Sequence, residues 1–256
     1  FNAAFNRVGP LVGEIFGGTL ENINCSVEIA ATYVGDAAIG GLIGRASGKG
    51  NTIRNCMFSG KIEGMSAYNC GAFLGFLSGD GVPTAFESCA HIGTIAVDEA
   101  QGNARVLARW NDGTAPASFK DCYYVNPYGN DNEGVNQVTI EDVASGALCY
   151  LLNGNQSEIK WTQTIGEDAI PYPNLQHKQV YAAGNLICTG WVKEGDEISF
   201  SNTKTSEIPP HHYVDGVCTE CGITEAGMCE EIDGFFQIGT PEQMVWFARK
   251  DNAGEN

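Results

Sequence analysis

Four apolar residues, Leu20, Ile53, Phe86 and Phe119, follow one another at intervals of 33, and Ile23, Cys56, Cys89 and Cys122 keep the same step. Ile29, Ile62 and Ile95 form a third column at that interval. The segments GPLVGEI, GGLIGRA, GAFLGFL and ARVLARW, which begin at Gly9, Gly40, Gly71 and Ala104, recur at 31, 31 and 33. Apolar columns that persist while the turns drift in length indicate stacked units, each burying its hydrophobic face on the next. These rungs are short, rich in Gly and Asn, and lack a helical period. They predict a mainly β chain, with a parallel β-solenoid (β-helix) of about four rungs over residues 1–136.

In such a stack, equivalent residues sit about 4.8 Å apart, so every column becomes a ladder. Glu21, Arg54, Glu87 and Lys120 then alternate in sign on neighbouring strands, an arrangement that a register slip would lose. Beside them runs a polar column, Asn22, Asn55, Ser88 and Asp121, of the short side chains that suit a bend. Cys56, Cys89 and Cys122 take the place of an Ile and read as a buried thiol ladder, with a disulfide as the alternative. Cys25 shares a column with Phe58, His91 and Tyr124; His91 reads as a satisfied interior histidine, and Cys70 as core.

Composition narrows the function classes. The 33 glycines and the low charged share, 18%, suit a turn-rich β protein. The net charge of −17 repels phosphate backbones and anionic lipid, which argues against nucleic-acid and membrane-surface roles. There is no apolar run long enough for a transmembrane helix. Because the chain opens within the repeat pattern, it is expected to be a segment of something longer.

The rung Gly40-Gly41-Leu42-Ile43-Gly44, with Gly50, Ile53, Asn55-Cys56, Gly60 and Ile62, resembles the GLUG motif, a short repeat of secreted bacterial surface proteins. The likeness extends to Gly9–Ile29, weakens over Gly71–Ile95 and decays over Ala104–Asn126, where Arg105 and Arg109 break the glycine frame. The resemblance implies an extracellular repeat protein of adhesin or surface-array type. GLUG repeats also accompany some surface proteases, so the motif names no activity.

Beyond the rungs, the loop Asn126–Gly134 reads as an ordinary polar loop, since its spacing matches no Ca²⁺ loop. A helix is expected from about Thr139 to Asn153-Gly154, with Val143, Leu148, Leu151 and Leu152 as its apolar stripe. It is predicted to cap the open end of the stack, within a cap and connector over residues 137–184. A small Cys/His lobe follows over 185–230. There Cys218-Thr219-Glu220-Cys221-Gly222 forms half of a zinc-ribbon-like site, which His211 and Cys188 would complete as a tetrahedral Cys₃His set. The segment resembles a word, H-x-[FY]-x-x-G-x-C-x-x-C-G, of the same surface proteins, which favours His211 over His212. Disulfides among Cys188, Cys218, Cys221 and Cys229, or free thiols, are the alternatives; a structural zinc with four protein ligands would stabilise the lobe without catalysing. Residues 231–256 read as a strand–helix unit, capped by Thr240 with Pro241 and Gln243, and resemble the opening of a next module.

The functional expectation is a non-enzymatic extracellular structural or adhesive segment of a larger bacterial surface or filament-forming protein. Its partners would be neighbouring modules of the same or identical chains, and a host or environmental glycan or protein; nucleic acid and membrane insertion are excluded. One alternative is a glycan-binding module, with Trp110, Tyr123, Tyr124, Tyr128 and Trp161 as candidate platforms. A second is an accessory domain of a secreted polysaccharide- or protein-degrading enzyme.

Overall fold

The computed structural model describes residues 2–3, 6–32, 37–64, 69–78, 84–98, 104–110, 117–154, 156, 158–192, 195–232 and 234–252. Two compact units emerge: Phe1–Tyr181 with Phe200–Thr203, and Ala182–Ser199 with Lys204–Asn256. The chain is mainly β, with a curled parallel sheet in the first unit.

Three sheets of that unit carry the repeat. The largest contains Val12–Cys25, Ile43–Phe58, Leu74–Leu77, Thr84–Glu87, Ala90–His91, Ala117–Lys120, Cys122–Tyr124 and Val135–Gln137. A second joins Asn2–Ala3, Glu28–Ala31, Lys61–Gly64 and Thr94–Ala96, and a third Arg7–Val8, Ala38–Gly40 and Asn69–Gly71. All described pairings in these sheets are parallel. Leu20 pairs with Ile53, Ile53 with Phe86 and Phe86 with Phe119. Ile29, Ile62 and Ile95 are likewise in register, as are Val8, Ile39 and Cys70.

One predicted register is off by a residue. The spacing of 33 sets Leu107 beside Leu74, but Leu74 bridges to Ala108. The shift places the small Ala108 in that position, and Val106, Leu107 and Ala108 are all buried.

Glycine at Gly44 and Gly75 follows from the close approach of successive rungs. A Cβ on Gly44 would lie 2.6 Å from the backbone nitrogen of Val8, and one on Gly75 2.3 Å from that of Ile39. The polar column is more specific than a bend: Asn22, Asn55, Ser88 and Asp121 all adopt left-handed backbone, with φ of 58°, 51°, 51° and 51°. Asn and Asp tolerate this conformation better than most residues. Directly after each of the last three bends, a cysteine thiol donates to the carbonyl two residues back. Cys56 Sγ reaches Arg54 O at 3.2 Å, Cys89 Sγ reaches Glu87 O at 3.3 Å, and Cys122 Sγ reaches Lys120 O at 3.4 Å. The thiols are free and fully buried, and burial pushes the Cys89 thiol well up.

His91 departs from expectation. Its ring is fully buried and stacks on Phe58 at 5.8 Å, but neither ring nitrogen has a hydrogen-bond partner among the described residues. Burial lowers its pKa to about 4, with partial compensation from the nearby Phe58 backbone.

The helical segment also differs from the reading of the sequence. Gly146, at φ 92°, breaks it into α1 (Ile140–Ser145) and α2 (Ala147–Asn153). A capping box between Thr139 and Asp142 starts α1. The helices do not cap the end of the stack. Their Val143, Leu148, Cys149 and Leu152 join Trp161 and Val180 on the column Met57, Ala90 and Tyr123. That column alternates with the inward Cys56 and Phe58 and so lies on the opposite face of the sheet. A broad apolar column outside the sheet offers α1 and α2 more surface to bury than one rung edge does.

The last rung is closed by the loop read as an ordinary polar segment. Asn132 Oδ1 accepts from Leu107 N at 2.8 Å and Ala108 N at 3.2 Å, and its Nδ2 donates to Ala108 O at 3.1 Å. One side chain thus supplies what the next strand's backbone would. Val135–Gln137 pairs with Cys122–Tyr124 on the same rung.

Candidate metal centre

In the second unit, Tyr213–Val214 pairs antiparallel with Val217–Cys218. The connecting residues, Asp215 and Gly216, have φ of 51° and 71°, the two positive values that a tight type I′ hairpin demands. Asp-Gly between strand residues is the sequence signal for that turn, and the CxxC reading alone did not use it. The hairpin carries His211 on one strand's approach and Cys218 at the end of the other. Gly222, at φ 72°, then bends the chain so that its amide returns to Cys218 O at 2.9 Å, which brings Cys221 back beside Cys218. Cys188 comes from a separate turn, closed by Ile187 N to Trp191 O at 2.7 Å and flanked by the Leu186–Val192 bridge.

These elements bring all four predicted residues together. One ligand atom from each of Cys188, His211, Cys218 and Cys221 lies within 4.8 Å of every other, a set that could hold a metal ion. Cys188 Sγ and Cys218 Sγ are 3.6 Å apart, and Cys221 Sγ and His211 Nδ1 3.4 Å. A disulfide needs about 2.0 Å between sulfurs. A tetrahedral centre with bonds of about 2.3 Å to sulfur and 2.0 Å to nitrogen has S–S edges of about 3.8 Å and S–N edges of about 3.5 Å. These two separations match such edges, and the others, within 4.8 Å, need about 1 Å of closure at most, so the donor set fits such an ion.

The electrostatics suit a cationic ligand. Burial pushes the Cys218 thiol up, but the backbone amides of Cys221 and Glu220, with the His211 and Cys188 side chains, outweigh it and bring its pKa down to about 5. Cys188 is raised to about 12, first by burial and then by its contacts with Cys221 and Cys218. The surroundings thus act in opposite directions on the two thiols, down for Cys218 and up for Cys188.

The other candidates separate from this set. His212 Nδ1 faces Thr219 Oγ1 at 3.4 Å, and Cys229 Sγ donates to Gln243 O at 3.4 Å, against α3 (Pro241–Asn252). Every cysteine is free. Of the aromatic platforms, Trp161, Tyr123 and Tyr124 are buried, while Trp110 and Tyr128 pack against the core. The first unit holds a further arrangement that no local motif signals: His177 Nδ1 lies 2.8 Å from Asp168 Oδ2, and the His177 ring stacks on Tyr172 at 4.4 Å. Only the folding of the connector joins these three residues.

No family model, no curated protein and no solved structure matches the chain.

Proposed function

We propose that this chain is an extracellular structural and adhesive segment of a larger bacterial surface protein, a non-enzymatic β-solenoid of GLUG-type rungs joined to a zinc-stapled lobe. The observation that carries the reading is the parallel, in-register stacking of the rungs, Leu20 on Ile53, Ile53 on Phe86 and Phe86 on Phe119. Among the described residues, strand Val12–Cys25 pairs with Ile43–Phe58 alone. Its Ile15 and Leu20 are partly exposed, whereas their register partners Ala46 and Ile53 are fully buried. Phe16 is 72% exposed. Stacking of this kind buries each rung on its neighbour and gains length by adding rungs, as a structural or array-forming segment requires.

Zinc is the ion that the Cys₃His donor set and its tetrahedral edges favour. Four protein ligands leave no open position, so its role is to hold a lobe that has little core of its own. Immunogold labelling of intact cells of the source organism tests the location. Label on the outer surface, in extended structures, is expected; label only after permeabilisation would overturn the reading.

A further inference from the structure

The first unit contains a cleft of about 750 Å³ whose lining includes Asn22, Lys160, Asn174, Leu175, His177 and Gln179. We propose that this cleft binds a neutral oligosaccharide, with His177 as its central polar contact. The inference goes beyond the array reading and stands without it.

His177 is held on two sides. Its Nδ1 is 2.8 Å from Asp168 Oδ2, and its ring lies nearly parallel to Tyr172, at 9° and 4.4 Å. Asp168 Oδ2 is itself oriented by the Thr164 amide. An imidazole whose Nδ1–H donates to a carboxylate presents the Nε2 lone pair as an acceptor of fixed direction. The cleft offers donors as well. Asn174 Oδ1 accepts from the Gln176 amide at 2.9 Å and Gln179 Oε1 from the Tyr181 hydroxyl at 3.1 Å, which fixes two side-chain amides in the lining. Leu175, 71% exposed, and Pro173 supply apolar surface beside these groups.

Donors and acceptors mixed along an apolar strip complement hydroxyl groups, which both donate and accept, on a ring with an apolar face. An anionic ligand fits less well. Lys160, the one lysine or arginine among the described lining residues, already pairs with Glu158 at 2.7 Å. The volume suits a ligand of a few sugar rings. Through Asn22, Glu158 and Lys160 the cleft continues into a second one, lined by the alternating ladder Glu21, Arg54, Glu87 and Lys120. With Asp121, Glu158 and Lys160 that second cleft carries four acidic and three basic side chains, a near balance that gives a neutral chain a path and offers an anionic one no positive surplus. The proposal is of binding alone: in the first cleft Glu158 is the one carboxylate among the described lining residues, and the Thr162 hydroxyl donates to the Asn174 carbonyl.

The test is a glycan array of neutral glucan, mannan, galactan and N-acetyllactosamine oligomers, with sialylated and phosphorylated counterparts, probed with the full chain. Binding to at least one neutral series, retained in high salt, is expected. His177→Phe keeps the stack on Tyr172 but removes the acceptor, and should weaken binding by about tenfold or more; because it also deprives Asp168 of a partner, binding is compared at a temperature where both proteins are folded. Leu175→Glu, at an exposed rim position that folding does not depend on, should also abolish the signal. Absence of neutral binding, binding confined to the anionic probes, or equal binding by His177→Phe would each overturn the proposal.

Discussion

Cys188 Sγ and Cys218 Sγ face each other at 3.6 Å although 30 residues separate them in the chain. The distance is too long for a disulfide and close to the edge of a tetrahedral thiolate site, which makes the pair a test of what staples the second unit. Elemental analysis of the purified chain should find one zinc per molecule. Cys218→Ser should reduce it to a small fraction, while His212→Ala, which alters a side chain outside the set, should leave it intact. Withdrawal of the ion by a chelator should destabilise the second unit by roughly 3 kcal/mol or more. A sub-stoichiometric metal content in the unaltered chain would sink the assignment.

His91 makes the first unit sensitive to acid. Its pKa is lowered to about 4 in the folded chain, while in the unfolded chain it titrates near its ordinary 6.5. The unfolded state therefore takes up the proton first as pH falls. Stability is at its full value above pH 6.5 and declines between pH 6.5 and 4, by about 3 kcal/mol for this group. His91→Phe, which can stack on Phe58 without titrating, should remove that part of the decline. Urea unfolding at pH 7, 5.5 and 4 measures it, and parallel pH profiles for the two proteins would show that His91 is not the source.

What was legible in the sequence is what repeats. Leu20, Ile53, Phe86 and Phe119 could be placed on one column because each rung supplies an independent instance of the same constraint, and the structure puts them in register. The Cys₃His set was legible through CxxC chemistry, although Cys188 had to be brought in from a distant turn. Features that occur once were harder to read. Asn132 closes the fourth rung by imitating backbone, a role that no spacing announces, and the loop around it reads as ordinary. Gly146 interrupts an apolar stripe that otherwise has a continuous helical period. The face chosen by α1 and α2 depended on Met57, Ala90 and Tyr123 forming an outward apolar column, which the inward columns beside it obscured. The dyad of His177 and Asp168 needs the folded connector to exist.

The left-handed column predicts an unusual pattern of tolerance. Asn55, at φ 51°, is buried, and its Oδ1 has no hydrogen-bond partner among the described residues, so the amide does less for stability than its backbone conformation does. Asn55→Gly should change stability by under about 0.5 kcal/mol, whereas Asn55→Val should cost about 2 kcal/mol because a β-branched residue resists that conformation. Chemical denaturation of the two variants decides the point. Equal losses would indicate that the side chain, rather than the bend, matters at this position.

The Arg54–Glu21 contact, with Nε to Oε2 at 2.6 Å, lies on the exposed charge ladder beside Glu87. Being exposed, it is worth only a few tenths of a kcal/mol to about 1 kcal/mol, and less in salt. Arg54→Glu would place three like charges on adjacent strands and should cost about 1 kcal/mol at low ionic strength, most of it recovered at high salt. A loss that salt does not relieve would point to packing of the arginine stem instead.

Asn132 should be far more costly to replace than any residue of that ladder. It is 1% exposed, and its amide satisfies two backbone N–H groups and one carbonyl that are buried with it. Asn132→Leu fills the space but leaves Leu107 N, Ala108 N and Ala108 O unpaired, a loss of about 3 kcal/mol or more. Asn132→Asp keeps the acceptor for the two amides, loses the donor to Ala108 O and buries a charge, so it should be no better than the leucine variant at neutral pH and partly rescued in acid. Hydrogen exchange offers the sharpest readout. In the leucine variant the Leu107 and Ala108 amides should lose protection while the Ile53 and Phe86 amides, two and one rungs away, keep theirs; uniform loss across the rungs would mean that Asn132 supports the whole stack and does not merely close its last edge.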